Sequence, residues 1–314
     1  MNDLLIPIDR ELIKAELTED KLLRTSNKAG NLIYLTTAAE SPNVMKEIAR
    51  IRELAFRLCG AGSGKVYDMD EFDWAERPYK QLFVWDPHNE EIIGGYRLVF
   101  GKDVRIKENG QPDLVTAGMY EFSQEFINDY LPYTIELGRS FVHPDYQASK
   151  MGAKSLYSLD NLWDGLGAIT VLRPDVKYFF GKVTMYPQYD EAARELIFTF
   201  LDKHFGVVES LVKPIEPFTR SLIMKDFEGL FNGEDFKEEY KILNGKVRER
   251  GVNIPPLVNT YMGLSDKTKL FGYAVCEELG GLIEFAIMVP IYEMHEEKKT
   301  RHIETFENLG NIKL

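Results

Sequence analysis

The tightest constraint on this chain is a strand that carries charge where a strand should be apolar. Tyr133-Thr134-Ile135-Glu136-Leu137-Gly138-Arg139-Ser140-Phe141-Val142 is β-rich in composition, yet it holds a Glu, an Arg and a Ser in its middle. Burying an unpaired charge is costly, so such a strand requires partner charges from elsewhere in the fold. Parity sharpens the demand. Glu136 and Arg139 are three residues apart, and a regular strand places them on opposite faces. A bulge near Gly138 would bring them toward one side and leave a backbone N–H outside the ladder, an arrangement suited to polarising an acyl carbonyl. A purely structural ion pair is the competing reading.

Candidate partners lie upstream. A helix is expected over residues 44–58, capped by Asn43, with Ile48, Ile51, Ala55 and Leu58 on its apolar face and Arg52 beside that face. Asp70-Glu71-Phe72-Asp73 reads as an acidic loop, in which solvent exposure competes with function, most readily for Glu71. Arg97 interrupts the strand 92–100, which pairs with 81–86 across Pro87-His88-Asn89-Glu90 as an antiparallel hairpin. Charges on several core elements suggest a network.

The remaining elements follow in order. A helix over 151–166 carries Leu156, Leu159, Leu162, Trp163 and Leu166, and a strand runs over 178–186. Asp190 caps a helix bearing Ala193, Leu196, Ile197, Phe200, Leu201 and Phe205. Charged residues 222–251 read as a helical insertion, and strands 269–277 and 282–291 form a last hairpin around Gly280-Gly281. Residues 1–40 read as an N-terminal extension with a short amphipathic segment around Glu11–Leu23, and residues 41–314 as one domain. This order predicts a mixed α/β (α+β) sheet structure rather than a regular βαβ array.

Composition removes other classes. The net charge of −12 does not advertise the basic face that duplex nucleic acid requires. It also means that an acidic protein partner would have to meet lysines and arginines gathered locally. The two cysteines, Cys59 and Cys276, cannot make a disulfide framework, and with the scattered histidines they give no zinc-site spacing. No apolar run approaches membrane-spanning length, and the acidic N-terminus lacks the features of a signal peptide, so a cytoplasmic location is expected. Gly60-Ala61-Gly62-Ser63-Gly64-Lys65 has the wrong glycine spacing for a phosphate-binding loop and follows a helix, so it reads as a turn. His143, beside Pro144, reads as a turn residue at a strand end.

Several motifs occur together in a recognisable order. They are Arg52–Phe56, Asp70–Asp73, Gly94-Gly95-Tyr96-Arg97-Leu98, Glu136–Val142, Leu162-Trp163-Asp164-Gly165-Leu166 and Tyr178-Phe179-Phe180-Gly181-Lys182-Val183. On these the chain resembles, over roughly residues 40–305, the GNAT-related N-acyltransferases that comprise acyl-homoserine-lactone and ornithine-lipid synthases. It looks closest to the bacterial glycine N-acyltransferases of glycine-lipid synthesis. The resemblance implies a GNAT-like fold: a central, mostly antiparallel sheet, helices on both faces, and a splayed strand pair between the strand ending at Val142 and strand 178–186.

The resemblance also implies roles. Glu136, Arg97 and Arg139 would be catalytic, with Arg52, Phe56, Asp70, Asp73, Ser140, Val142 and Trp163 binding substrate. A 4′-phosphopantetheine arm supplied by acyl carrier protein would lie along Val142, Gln147, Lys150, Gly152 and Ala153. No tightly bound cofactor and no metal are implied. Acetyl-CoA-using relatives carry Q/R-x-x-G-x-G/A, whereas Gln147-Ala148-Ser149-Lys150-Met151-Gly152-Ala153 lacks the first glycine, which disfavours CoA as donor.

The expected reaction moves a long-chain, 3-hydroxylated acyl group from the carrier protein to the α-amine of an amino acid, glycine being favoured. Ornithine and S-adenosylmethionine are the alternative acceptors. No second H-x-x-x-x-D acyltransferase motif occurs, so a mono-N-acyl product is expected. The lipid product and the 222–251 segment leave peripheral membrane contact open. A GNAT-like module that binds lipid or carrier protein without catalysis is the reading from another class.

Overall fold

Alternating apolar strands and polar turns build antiparallel sheets here, and helices cover them. The computed structural model describes residues 3–147, 153–221, 227, 229–233, 235–276 and 281–307. In chain order it begins with α1 (Arg10–Lys14), β1 (Leu22–Thr25), β2 (Leu32–Thr36), α2 (Pro42–Leu58), α3 (Glu71–Trp74), β3 (Lys80–Asp86) and β4 (Glu91–Phe100). It continues with β5 (Tyr120–Phe122), β6 (Thr134–Val142), α4 (Pro144–Gln147), α5 (Ala153–Leu172), β7 (Tyr178–Met185) and α6 (Glu191–Phe205). Then come β8 (Val212–Pro214), α7 (Phe236–Glu249), α8 (Pro256–Met262), β9 (Lys269–Cys276), β10 (Leu282–Pro290) and α9 (Glu296–His302). The described residues form two compact units, one drawn from Met1–Asp103, Tyr133–Lys177 and Glu296–Leu314, the other from Val104–Pro132 and Tyr178–His295.

The first unit is an antiparallel sheet in the order β1–β2–β3–β4–β6. Two of these strands, β1 and β2, come from the segment read as an N-terminal extension. Successive residues of β3 face opposite ways. Phe83 packs with Val44, Ile48, Ile51 and Ala55 of α2, and Leu82 lies against Gly165 of α5. Helices therefore cover both faces of this sheet. Gly165 is where α5 comes closest: a Cβ there would meet Ile33 and Leu82 side chains at 2.8 and 3.0 Å.

Helix α2 ends at Leu58 as expected but begins earlier. It starts at Pro42, and Asn43 lies inside the helix instead of capping it. The Glu16 carboxylate accepts hydrogen bonds from the backbone N–H groups of Asn43 and Val44 and from the Asn43 side chain, satisfying first-turn donors from a distant part of the chain. At the other end Leu58 is 67% exposed and does not join the apolar face. Helix α5 runs to Leu172, beyond the expected end, with Leu162, Trp163, Leu166 and Ile169 buried. On its other side, His302 of α9 bonds Asp164 at 2.7 Å.

The second unit pairs β7, β10 and β9 antiparallel, with β5 and β8 as a separate ribbon. Phe198 of α6 packs on Tyr273 and Phe285. Phe271 instead joins Phe126 and Phe180. Gly272 between them has φ 84°, and the register shifts there, so a bulge re-aims the strand's aromatics. Asp190 caps α6 as expected, accepting from the Ala193 N–H. Of the expected 222–251 insertion, residues 236–249 form α7, which docks on α6: Glu239 is buried and bonds Lys203 and His204. The Gly280 part of the last turn lies outside the described residues.

Candidate active site

The site is assembled in the first unit from α2, the turn around α3, and strands β3, β4 and β6. On α2, Arg52 follows Met45, Ile48 and Ala49 at helical spacing and is only 1% exposed. It thus lies on the buried face itself. Its guanidinium meets Asp68 Oδ2 at 3.1 Å and Asp73 Oδ2 at 3.2 Å, and also donates to the Asp68 carbonyl.

The acidic loop is a one-turn helix. Asp70 accepts from the Phe72 N–H, while Asp73 accepts from the Asp70 N–H, a reciprocal cap that closes the turn. Capping aims both carboxylates inward, and Asp73 is fully buried while Glu71 is exposed.

Strands β3 and β4 supply the next layer. Gln81 pairs with Arg97 in register, so the two side chains share the face toward α2. Gln81 donates to Asp73 Oδ1 at 3.0 Å and accepts from Arg52 at 3.4 Å. Arg97 bonds Asp70 Oδ1 at 2.6 Å and lies 3.3 Å from Asp73 Oδ2. Its guanidinium also stands over the rings of Tyr79 and Phe72, 5.2 and 5.9 Å from their centroids.

The expected bulge in β6 is present. Gly95 pairs with Phe141 and Arg97 with Gly138, so Arg139 and Ser140 together stand opposite Tyr96. Arg139 has φ 48°, in the left-handed region. Because of this extra residue, Glu136 and Phe141 share one face although they are five positions apart. Arg139 folds toward the same cluster, 3.3 Å from Asp70 Oδ2 and 3.4 Å from Asp68 Oδ1. Glu136, 3% exposed, accepts a hydrogen bond from the Tyr79 hydroxyl.

The electrostatics follow from this interleaving. Burial pushes the Arg97 guanidinium toward losing its proton, but Asp73, Asp70 and Asp68 outweigh it and raise its proton affinity above the ordinary arginine value. For Arg52, burial dominates and lowers it, aided by Arg97 and Arg139 and opposed by Asp68 and Asp73. Burial also pushes the Asp70 carboxyl up; Arg97 and then Arg139 overcome this and hold it below the usual carboxylate range. Asp70 is therefore a weak base. The side chains of Arg139 and Asp70, 30% and 21% exposed, form the open end of the cluster.

The structure thus gathers Arg52, Asp70, Asp73, Arg97, Glu136 and Arg139, and places other candidates apart. Phe56 packs beside the apolar core under α2. Ser140 is half-buried in the bulge, and Trp163 is buried on α5. Val142 ends β6, where its carbonyl accepts from the exposed Gln147 at 2.6 Å. Lys150 and Gly152 lie outside the described residues, and Ala153 opens α5. His143 behaves as a turn residue, accepting from the Asp145 N–H. In the glycine-rich turn after α2, the N–H groups of Ser63 and Gly64 bond Glu53.

Asp68, Tyr79 and Gln81 join the site without having been singled out in the sequence. Asp68-Met69-Asp70 alternates, a pattern that could have flagged Asp68. Tyr79 and Gln81 are likewise two apart, on the run into a strand whose partner holds Arg97.

Comparison with known proteins shows the family of the chain. The acetyltransferase (GNAT) domain family matches residues 51–156. A glycine N(alpha)-acyltransferase of Phocaeicola vulgatus is 53% identical over 98% of this chain and 94% of its own length. One of Bacteroides thetaiotaomicron is 53% identical over 98% of this chain and 91% of its own.

Proposed function

The chain belongs to the family of glycine N(alpha)-acyltransferases, and from that premise we propose that it moves a long-chain, 3-hydroxylated fatty acyl group from acyl carrier protein to glycine. The observation that supports the chemistry is the buried carboxylate of Glu136, carried by the bulged strand β6 and held by the Tyr79 hydroxyl. Asp70 and Asp73 are tied to arginines, and Glu136 accepts a hydrogen bond from the Tyr79 hydroxyl; we assign Glu136 as the proton acceptor because it lies on the bulged strand whose backbone N–H groups would face the acyl carbonyl.

In the proposed reaction the glycine carboxylate binds Arg139 at the open end of the cluster, since a guanidinium fork suits a carboxylate. Glu136 takes a proton from the ammonium group, directly or through water. The freed nitrogen lone pair attacks the thioester carbonyl carbon, and backbone N–H groups at the Arg139–Ser140 bulge stabilise the oxyanion. Collapse breaks the C–S bond, and the leaving thiolate takes up the second proton released from nitrogen. The products are the N-acyl amino acid, free carrier thiol and one proton, which Glu136 passes to solvent. The missing first glycine before Gly152 favours a carrier arm, with its single phosphodiester, over CoA as donor.

The test is free-thiol release from long-chain acyl carrier protein against a panel of amino acids. Release with glycine, and a mono-N-acyl product by mass spectrometry, is the expected result. Release only with ornithine or S-adenosylmethionine would transfer the reading to those acceptors, and no release with any acceptor would overturn it. Acyl-CoA in place of acyl carrier protein should support much slower release.

A further inference from the structure

We infer that Tyr79 is the positioning residue for Glu136 and links the acidic turn to the proposed base. This rests on the reading of Glu136 given above. Tyr79 is 3% exposed and its hydroxyl donates to Glu136 Oε2. The phenol is itself held from several directions. Its backbone N–H bonds the Phe72 carbonyl at 2.9 Å, inside the turn that carries Asp70 and Asp73. Its ring meets the Phe72 ring edge-on, with centroids 5.4 Å apart. The Arg97 guanidinium lies over its face.

Each contact has a consequence. The backbone and ring contacts fix where the hydroxyl sits, so the phenol fixes one carboxylate oxygen of Glu136. A cation over the ring draws electron density from it and strengthens the O–H as a donor. Arg97 in turn is set by Asp70 and Asp73. Arg97 and Tyr79 thus link the order of the acidic turn to the Glu136 carboxylate. A hydrogen bond in a low-dielectric site is worth more than an exposed one, and losing it removes one restraint on where this carboxylate oxygen points.

Tyr79→Phe keeps the ring, its packing and the Arg97 contact, and removes the hydroxyl alone. Turnover at saturating glycine should fall about tenfold or more, with the glycine KM unchanged, because an orienting hydrogen bond to a charged group is lost. The decisive readout is the double-mutant cycle with Glu136→Gln. In that background Tyr79→Phe should cost nothing further. Equal losses in both backgrounds would mean that Tyr79 serves only packing, and no loss in the parent enzyme would mean that it serves nothing here; either result overturns the inference. Glu136→Asp approaches the same bond from the other side, by withdrawing the carboxylate from the phenol. It should lower kcat with KM unchanged, which keeps the inference testable if Tyr79→Phe folds poorly. If Glu136→Gln alone keeps normal turnover, the base reading fails first, and the inference with it.

Discussion

At the residue scale the carboxylates of the cluster differ in how firmly arginines hold them. Asp70 is held below the usual carboxylate range by Arg97 and Arg139 against the opposing effect of burial. A carboxyl depressed in the folded state contributes stability that is complete above its unfolded value and is lost as pH falls through its folded value. Asp70→Asn should therefore lower the melting temperature at neutral pH, and its gap from the parent should narrow as pH drops below about 4. Thermal melts across pH check this; a gap that stays constant would contradict it. The members of this cluster that stood out in the sequence, Arg52, Asp70, Asp73, Arg97, Glu136 and Arg139, did so because charge on a core element demands a partner. Asp68, Tyr79 and Gln81 did not stand out. A polar side chain entering a strand looks solvated until the register shows that it faces Arg97.

At the element scale the bulge of β6 is what turns Arg139 toward the charged cluster. It was legible from parity, because three residues apart on a regular strand Glu136 and Arg139 would face opposite sides. Its support was not: Gly95 lets β4 pass close to its neighbours, and a Cβ there would come within 2.7 Å of the Leu82 carbonyl and 2.9 Å of the Phe141 ring. Backbone cannot yield as a flexible side chain does. Gly95→Val should destabilise by about 1–3 kcal/mol and reduce turnover, read by denaturant unfolding and thiol release. The start of α2 was misplaced for a related reason. Its cap is Glu16, far away in sequence, and local capping rules cannot see it. Glu16→Ala should cost about 1 kcal/mol, the usual value of a lost N-terminal cap, with glycine KM unchanged. Strands β1 and β2 were missed because runs as short as Leu22–Thr25 and Leu32–Thr36 show too little alternation before their partners are known.

At the scale of the whole molecule, similarity to the curated relatives spans 98% of the chain and so takes in both units, although the proposed chemistry lies in the first. Among the described residues no helix is long and apolar enough to cross a membrane. The net charge of −12 means that an acidic carrier protein would have to be met by a local basic surface. Acyl transfer to an amine requires a proton acceptor, and the proposed function gives that role to the buried carboxylate of Glu136. The most direct measurement is turnover of Glu136→Gln with long-chain acyl carrier protein and saturating glycine. The account predicts a fall of about 10²–10⁴-fold with the melting temperature retained; near-normal turnover would contradict it.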